Sequence, residues 1–289
     1  MTETAHFPLL FAVLSRFQAA GLLQARASGQ QTAVTSLDLG LSRQEVWLDA
    51  VGFGTGEQPL LSWQQLQAVA DSENGCFRVQ NGALEEIRGY SESSRRTYRL
   101  FPTAEAPGLM ISGFTMHRFK DISPRRAALE MVKAAAPIRG RVLDTATGLG
   151  YTAIAAAKSA AAVVTIELDP GSLEMARANP WSQALFHHPA ISLIPGDSSE
   201  EIAAFPDGHF SVIIHDPPSI SLAGDLYAEA FYRQAWRVLA GNGRMFHYLG
   251  DPGSALGGRV TKGVGQRLRA AGFQRIVPKP FAHGVLACK

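Results

Sequence analysis

The chain has only two cysteines, Cys76 and Cys288, far apart and in no metal-ligand spacing. That excludes a disulfide scaffold and a zinc site, and it fits a reducing cytoplasm. Long hydrophobic runs are also missing. The longest near the start, residues 8–14, is stopped by Arg16, and no basic segment precedes it, so neither a signal peptide nor a membrane span is indicated. Strong charge is lacking too. The net charge is +2 and the isoelectric point about 8.6, short of the strongly basic footprint of a nucleic-acid binder. There is no internal repeat and no low-complexity stretch. What remains is an ordinary globular composition, 46% hydrophobic and 18% charged over 289 residues, enough for one large domain or two ordinary ones.

The small net charge hides an asymmetry. Residues 88–141 carry eleven lysines and arginines against four acids, about +7, leaving the remainder near −5. Such a segment can face an anionic substrate, or RNA or DNA, or it can be a solvated face with ion pairs to the acidic part. From residue 141 onward, short β-branched runs alternate with helical patterns, as in a parallel sheet built from strand–helix–strand units. The expected strands are 141–147, 162–168, 191–197, 210–216 and 243–249, with 273–279 and 282–288 as an antiparallel hairpin. Helices are expected to begin near Tyr151, Pro170, Ser198, Gly224 and Arg259, the third opened by a capping box, Ser198 to Glu201. The first part reads as a small α+β domain. It has a helix over 9–27, strands at 32–39, 45–51, 76–80, 83–90 and 97–102, and a helix over 63–70. Ser123-Pro124 reads as the cap and first residue of a helix over 125–136, which puts the domain boundary at 122/123.

VLDTATGLGYTAIAAA, residues 142–157, runs strand, glycine turn, helix. Glycines here tolerate positive φ and let the backbone approach a ligand, while the helix start beyond favours negative charge. Gly148-x-Gly150 followed by Ala153 meets the dinucleotide fingerprint only in part. With the acid on the strand, Asp144, the pattern D-x-x-x-G-x-G resembles the first motif of class I S-adenosylmethionine (SAM) dependent methyltransferases. Glu167 ends the second strand nineteen residues after Gly148, where a carboxylate takes ribose hydroxyls in NAD and SAM enzymes alike. Asp197 ends the third strand, placed to accept from an adenine amino group or simply to cap a helix. The resemblance implies a SAM site made by Asp144, Thr145, Gly148, Gly150, Tyr151, Glu167, Leu168, Asp197, Ser198 and Asp216. It also implies an α/β fold: a Rossmann-like seven-stranded methyltransferase sheet in residues 123–289, with an antiparallel seventh strand. Residues 1–122 then form a small α+β domain for substrate or partner binding.

A narrower likeness covers nearly the whole chain. PTAEAPGLMISGFTMHR (102–118), ELDPGSLEMARANPWS, FYRQAWRVLAGNGRMFHYLGDPG (231–253) and HDPPS resemble an archaeal-type group of predicted methyltransferases related to the spermidine-synthase branch. HDPPSI, residues 215–220, resembles the (D/N)PP(Y/F) motif of amino methyltransferases, in which the carboxylate and the first proline's carbonyl accept hydrogen bonds from the attacking nitrogen. Asp216 and Pro217 take those places. Ser219 stands where that motif has an aromatic that stacks on a base, a departure that weighs against a nucleobase acceptor.

His215, His247 and Tyr248 lie near the ends of adjacent strands and can accept a proton, hold substrate or be structural. Strand alternation sends His215 and Asp216 to opposite faces. His187 and His188 read as surface, and Tyr227 and Tyr232 as packing. Met116, His117 and Arg118 sit at the expected junction, where His117 can act on substrate and Arg118 can clamp a carboxylate or phosphate. Three functions follow. The first is SAM-dependent N-methylation of a small anionic or amino-bearing molecule, or of an RNA or DNA base. The second is aminopropyl transfer from decarboxylated SAM, whose enzymes read G-G-G-D-G where this chain has T-G-L-G-Y. The third is a non-catalytic nucleotide-binding module or an NAD enzyme.

Overall fold

The computed structural model describes residues 11–251 and 255–289. The chain forms two compact units, Met1–Arg125 with Gly171–Ala184, and Arg126–Pro170 with Leu185–Lys289. The first division falls at 125/126. The helix after the second sheet strand, however, groups with the N-terminal residues, which no local pattern in the sequence announces.

The first unit begins with β1 (Ala12–Ser15) and α1 (Arg16–Ala27), followed by β2 (Thr32–Thr35), β3 (Gln44–Leu48), β4 (Gly52–Gly54), β5 (Leu61–Ser62) and α2 (Trp63–Asp71). Then come β6 (Cys76–Gln80), β7 (Ala83–Glu86), β8 (Arg88–Ser91), β9 (Arg96–Phe101), β10 (Gly108–Ile111) and β11 (Phe114–Thr115). They make three antiparallel sheets, ordered β1-β6-β7, β2-β3-β4-β5 and β11-β10-β9-β8. Leu14, Leu22, Phe53, Trp63 and Leu66 anchor its core.

Three expectations for this unit need correction. The helix expected over 9–27 starts only at Arg16, and its first two residues lie outside the described residues. Val13 and Leu14 are fully buried in β1, paired with β6, and a residue pair buried on opposite faces suits a strand. Ser15 then opens the helix through a capping box with Gln18, whose Oε1 accepts from the Ser15 N–H at 3.0 Å. Second, the strand read over 83–90 is two strands. At Ile87 the chain changes sheets, its N–H donating to Cys76 and its carbonyl accepting from Leu100. Third, β4, β5, β10 and β11 were not expected; at two to four residues each they are too short for a period to register.

The second unit carries α3 (Pro124–Ala134, which crosses from the first unit), β12 (Arg141–Asp144), α4 (Tyr151–Ala157), β13 (Ala162–Glu167), α5 (Pro170–Ala178, most of it in the first unit), α6 (Gln183–His187) and β14 (Ile191–Pro195). After these follow α7 (Ser198–Glu201), β15 (Phe210–His215), α8 (Glu229–Val238), β16 (Leu239–Tyr248), α9 (Ala255–Ala270), β17 (Arg275–Lys279) and β18 (Gly284–Cys288). The seven strands make one sheet in the order β14-β13-β12-β15-β16-β18-β17. Six run in the same direction; β18 alone is reversed, antiparallel to both β16 and β17. This is the Rossmann-like methyltransferase sheet, with the antiparallel seventh strand, that the sequence led one to expect. The central strands are buried on both faces, hence the near-continuous apolar runs, and Phe210, Ile213, Tyr232, Met245, Val264 and Leu268 pack one of them.

The strands end earlier than expected because 145–147 and 196–197 belong to the turns that follow. The capping box at Ser198 is also corrected: Asp197 is the cap, accepting from the Ser199 N–H at 2.8 Å, one position upstream of where the spacing put it. Gly224 opens a 3-10 turn that precedes α8. No helix among the described residues is long and apolar enough to cross a membrane.

β18 meets β16 at very close range. A methyl at Gly284 would lie 2.2 Å from the His247 carbonyl oxygen and 2.7 Å from the Phe246 ring. Gly284→Ala is therefore expected to cost about 3 kcal/mol of stability, since the obstacle is backbone and cannot turn aside. Equilibrium urea denaturation with unchanged m-value would measure it.

Candidate active site

In this sheet the strand order reverses at β12. The chain moves outward through β13 and β14, returns, and continues on the other side with β15 and β16. Open parallel sheets bind ligands at such a switch point, outside the carboxyl ends of the strands. The residues there are the turn 145–150 after β12, the end of β13 at Glu167, the loop 196–197 after β14, and Asp216-Pro217-Pro218 after β15.

The turn depends on its glycines. Gly148 and Gly150 have φ of 52° and 76°, a region that L side chains rarely adopt, and a methyl at Gly150 would sit 2.8 Å from the Leu185 side chain. Around Gly148 there is open space: a Cβ there would meet nothing within 4 Å. The Gly148 N–H donates to Glu167 Oε2 at 2.7 Å and the Asp169 N–H to Oε1 at 3.0 Å, so the carboxylate that ends β13 pins the turn. Burial raises the Glu167 carboxyl, and these two N–H groups pull it back down.

Asp144 is fully buried. Thr152 Oγ1 donates to its Oδ1 at 2.9 Å and Thr165 Oγ1 to its Oδ2 at 2.6 Å, while Thr147 and Thr165 hydroxyls lie 2.7 Å apart. Each Asp144 oxygen thus accepts from a side chain of α4 or β13, so the carboxyl braces the turn. Desolvation raises it to about 7 against the pull of the two threonines, with the Glu167 charge adding to the rise. Thr145 and Ser198 likewise turn inward, Ser198 Oγ donating to the Thr145 carbonyl at 2.7 Å. Asp197 caps α7 and keeps part of its surface open. Leu168, just past Glu167, is 67% exposed and presents an apolar face beside two acids. Tyr151 is buried.

Asp216 differs from the other three acids. Among the described residues no hydrogen bond reaches its carboxyl. Burial raises it to about 7, and the neighbouring Asp144 carboxyl adds to the rise. Pro217 is buried, and the Pro218 carbonyl accepts from the Tyr227 hydroxyl at 3.1 Å. Tyr227 was expected only to pack. Instead it holds the proline loop, and its hydroxyl is pushed up by burial and by the charges of Asp216 and Tyr248. No periodicity marks it, because it lies in a single 3-10 turn, Gly224–Tyr227.

The histidines lie beneath the crevice. His215 and His247 are register partners on β15 and β16, both fully buried, with ring centroids 4.3 Å apart. His247 Nε2 meets the Tyr232 hydroxyl at 2.9 Å, and its Nδ1 has no partner. Burial holds both imidazoles neutral, His215 down to about 3. The His247 ring is fully buried in the sheet, with Tyr232 as its hydrogen-bond partner. Tyr248 is half-buried, stacked on His283 at 6.4 Å. His117 lies in the first unit, where its Nδ1 accepts from the Leu109 N–H at 3.1 Å; burial lowers it to about 4. No group of three metal-ligating side chains occurs among the described residues.

Residues 142–243 match the model of a methyltransferase domain. The chain is 42% identical to the uncharacterized protein MJ1233 of Methanocaldococcus jannaschii over 79% of its own length and 78% of the other's. It is 30% identical to polyamine aminopropyltransferase 2 of Streptomyces coelicolor over 39% of this chain and 21% of that one. Among solved structures, a spermidine synthase from Thermotoga maritima superposes with a TM-score of 0.56 at 18% identity, covering 72% of this chain and 75% of the other. A spermidine synthase in complex with the transition state analogue AdoDATO gives 0.58, also at 18%, over 70% and 72%. At that identity the two structures speak to the fold. The fold, the matched domain and the archaeal relative lead to one conclusion: the chain belongs to the family of MJ1233, within the class I superfamily of SAM-dependent methyltransferases.

Proposed function

We propose that the protein transfers the methyl group of SAM to a nitrogen of a small amino-bearing or anionic molecule, with Asp216 as the acceptor of the nitrogen's proton. The observation that carries this reading is the carboxyl of Asp216, at the switch point and without a hydrogen-bond partner, while Asp144, Glu167 and Asp197 are each engaged in holding the turns.

The residues present fit the cofactor. Glu167 spends one lone pair per oxygen on backbone N–H groups and keeps others for ribose hydroxyls. Leu168 presents an apolar face suited to a flat ring, Asp197 an acceptor, and Gly148 the room for close backbone approach. When bound, SAM supplies a methyl group already activated on a sulfonium. The chain's own task is then alignment, exclusion of water and acceptance of charge. Pro217 and Pro218, rigid and held by Tyr227, fix the Asp216 carboxyl and the intervening carbonyl as acceptors, which orients the nitrogen lone pair. A carboxyl near 7 can take the proton that the nitrogen loses.

Aminopropyl transfer from decarboxylated SAM is the second reading, favoured by the partial likeness to the Streptomyces enzyme. Its chemistry is the same displacement at a sulfonium carbon, and Asp216 would serve it equally. The first motif, T-G-L-G-Y without the acid of G-G-G-D-G, supports methyl transfer. A small acceptor is supported over a nucleic acid by ion pairing of the basic segment to the acid just before it, Glu86, which pairs with Arg88 at 3.6 Å and Arg99 at 3.4 Å.

Calorimetric titration with SAM, S-adenosylhomocysteine, decarboxylated SAM and NADH tests the reading. Micromolar binding of the first two alone is expected; preference for decarboxylated SAM would overturn it in favour of aminopropyl transfer. Glu167→Ala is expected to weaken SAM about 100-fold, two charge-assisted hydrogen bonds being worth about 3 kcal/mol. Asp216→Asn is expected to retain SAM binding and lose transfer once an acceptor is found, and the wild-type rate to rise with pH through about 7 as Asp216 ionises.

The same carboxyl predicts a stability effect. Its folded pKa lies above the unfolded value, so the folded state binds more protons between about 4 and 7, and stability falls as pH rises through that window. Asp216→Asn removes this loss. Its melting temperature relative to wild type should climb from pH 5 to pH 8, as thermal melts at both pH values would show; a constant difference would mean that the carboxyl titrates normally.

A further inference from the structure

One imidazole contacts both the turn after β12 and the chain beyond the proline loop. His215 Nε2 lies 2.9 Å from the Leu226 carbonyl oxygen, which can only accept, so Nε2 carries the proton. Its Nδ1 is then an acceptor and takes the Thr145 hydroxyl at 2.6 Å. A single neutral tautomer satisfies both contacts, and the ring is locked against Phe231, centroids 4.8 Å apart and 26° from parallel. His215 is fully buried and cannot touch a substrate.

What lies beyond each contact gives the imidazole its interest. On one side, Thr145 opens the glycine turn and its carbonyl accepts from Ser198 at the start of α7, so the turns after β12 and β14 are joined through it. On the other side, Leu226 precedes Tyr227, whose hydroxyl holds the Pro218 carbonyl. The path Ser198–Thr145–His215–Leu226–Tyr227–Pro218 is continuous in hydrogen bonds and one peptide link. It runs from the turns assigned to the cofactor to the loop that carries Asp216.

We propose that His215 is a positioning residue that couples the cofactor turn to the acceptor loop, so that a ligand ordering Thr145 and Ser198 also orders residues 216–228. The proposal rests on the methyltransferase reading of this site. A histidine with a purely structural role would change stability when replaced, without altering how one turn responds to a ligand at the other. Coupling makes a different demand: both ring nitrogens are needed, and cutting either contact uncouples the loop.

The test uses the full-length protein and S-adenosylhomocysteine as the probe, with amide hydrogen exchange read over residues 216–228. In the wild type, saturation is expected to slow exchange there at least about fivefold, the lower range of coupling between sites. His215→Asn places its amide near Nδ1, keeping the Thr145 contact and losing Leu226. His215→Gln reaches the Nε2 position, keeping Leu226 and losing Thr145. Both are expected to bind S-adenosylhomocysteine with affinity close to wild type, by calorimetry, and to show no protection of the loop. Thr145→Val, which removes one hydroxyl and leaves the imidazole in place, is expected to lose the protection as well. It serves as the deciding variant if the His215 substitutions fail to fold. Binding with undiminished loop protection in the variants would overturn the coupling alone. Failure of the wild type to bind the probe would overturn the cofactor reading and the coupling with it, and is recognised before any variant is made.

Discussion

The carboxyl edge of the sheet is organised around one buried acid. Asp144 lies at the end of the central strand, with no exposed surface and a threonine hydroxyl on each oxygen. A carboxylate taken out of water is costly unless its hydrogen bonds are replaced, and here the replacements come from α4 and β13. The bonds therefore tie together strand, turn and the next strand, and they fix the direction in which the glycine turn leaves β12. They also leave a carboxyl of raised proton affinity beside Asp216, whose own rise it augments. Two acids with similar tendencies thus differ in hydrogen bonding: Asp144 is satisfied and braces the turn, while no hydrogen bond among the described residues reaches the Asp216 carboxyl.

Glu167 completes the arrangement from the other side. By accepting from the Gly148 N–H it holds the turn in a conformation that only glycine enters cheaply, and the turn in turn keeps its space open. On the proposed reading scaffold and recognition would share atoms at this point, so substitution of Glu167 would mix effects on folding with effects on binding.

Much of this was legible in the sequence. The parallel strands could be read because buried strands such as Val142-Leu143 and Val212-Ile213-Ile214 are continuous apolar runs, and the glycine turn because glycines at positive φ leave a recognisable spacing. The strand-end acids were found for the same reason: polar residues ending apolar runs stand out. What was hidden is what a carboxylate does once it is there. Thr152 and Thr165, which occupy Asp144, sit on a helix and a strand whose facing sides depend on packing, and hydroxyls are too common to announce a partner. Tyr227 and the contacts of His215 depend on the path of an irregular loop, which no periodicity encodes. The short hairpins of the first unit escaped detection through sheer brevity.

The position of β18 has a consequence for how the second unit comes into being. Residues 284–288 form an inner strand, inserted between β16 and β17, although they follow both in the chain. Until they emerge, β16 and β17 have no partner between them, and each presents an unpaired apolar edge. During synthesis the sheet therefore waits for this segment, a long-range closure of the kind that makes folding slow.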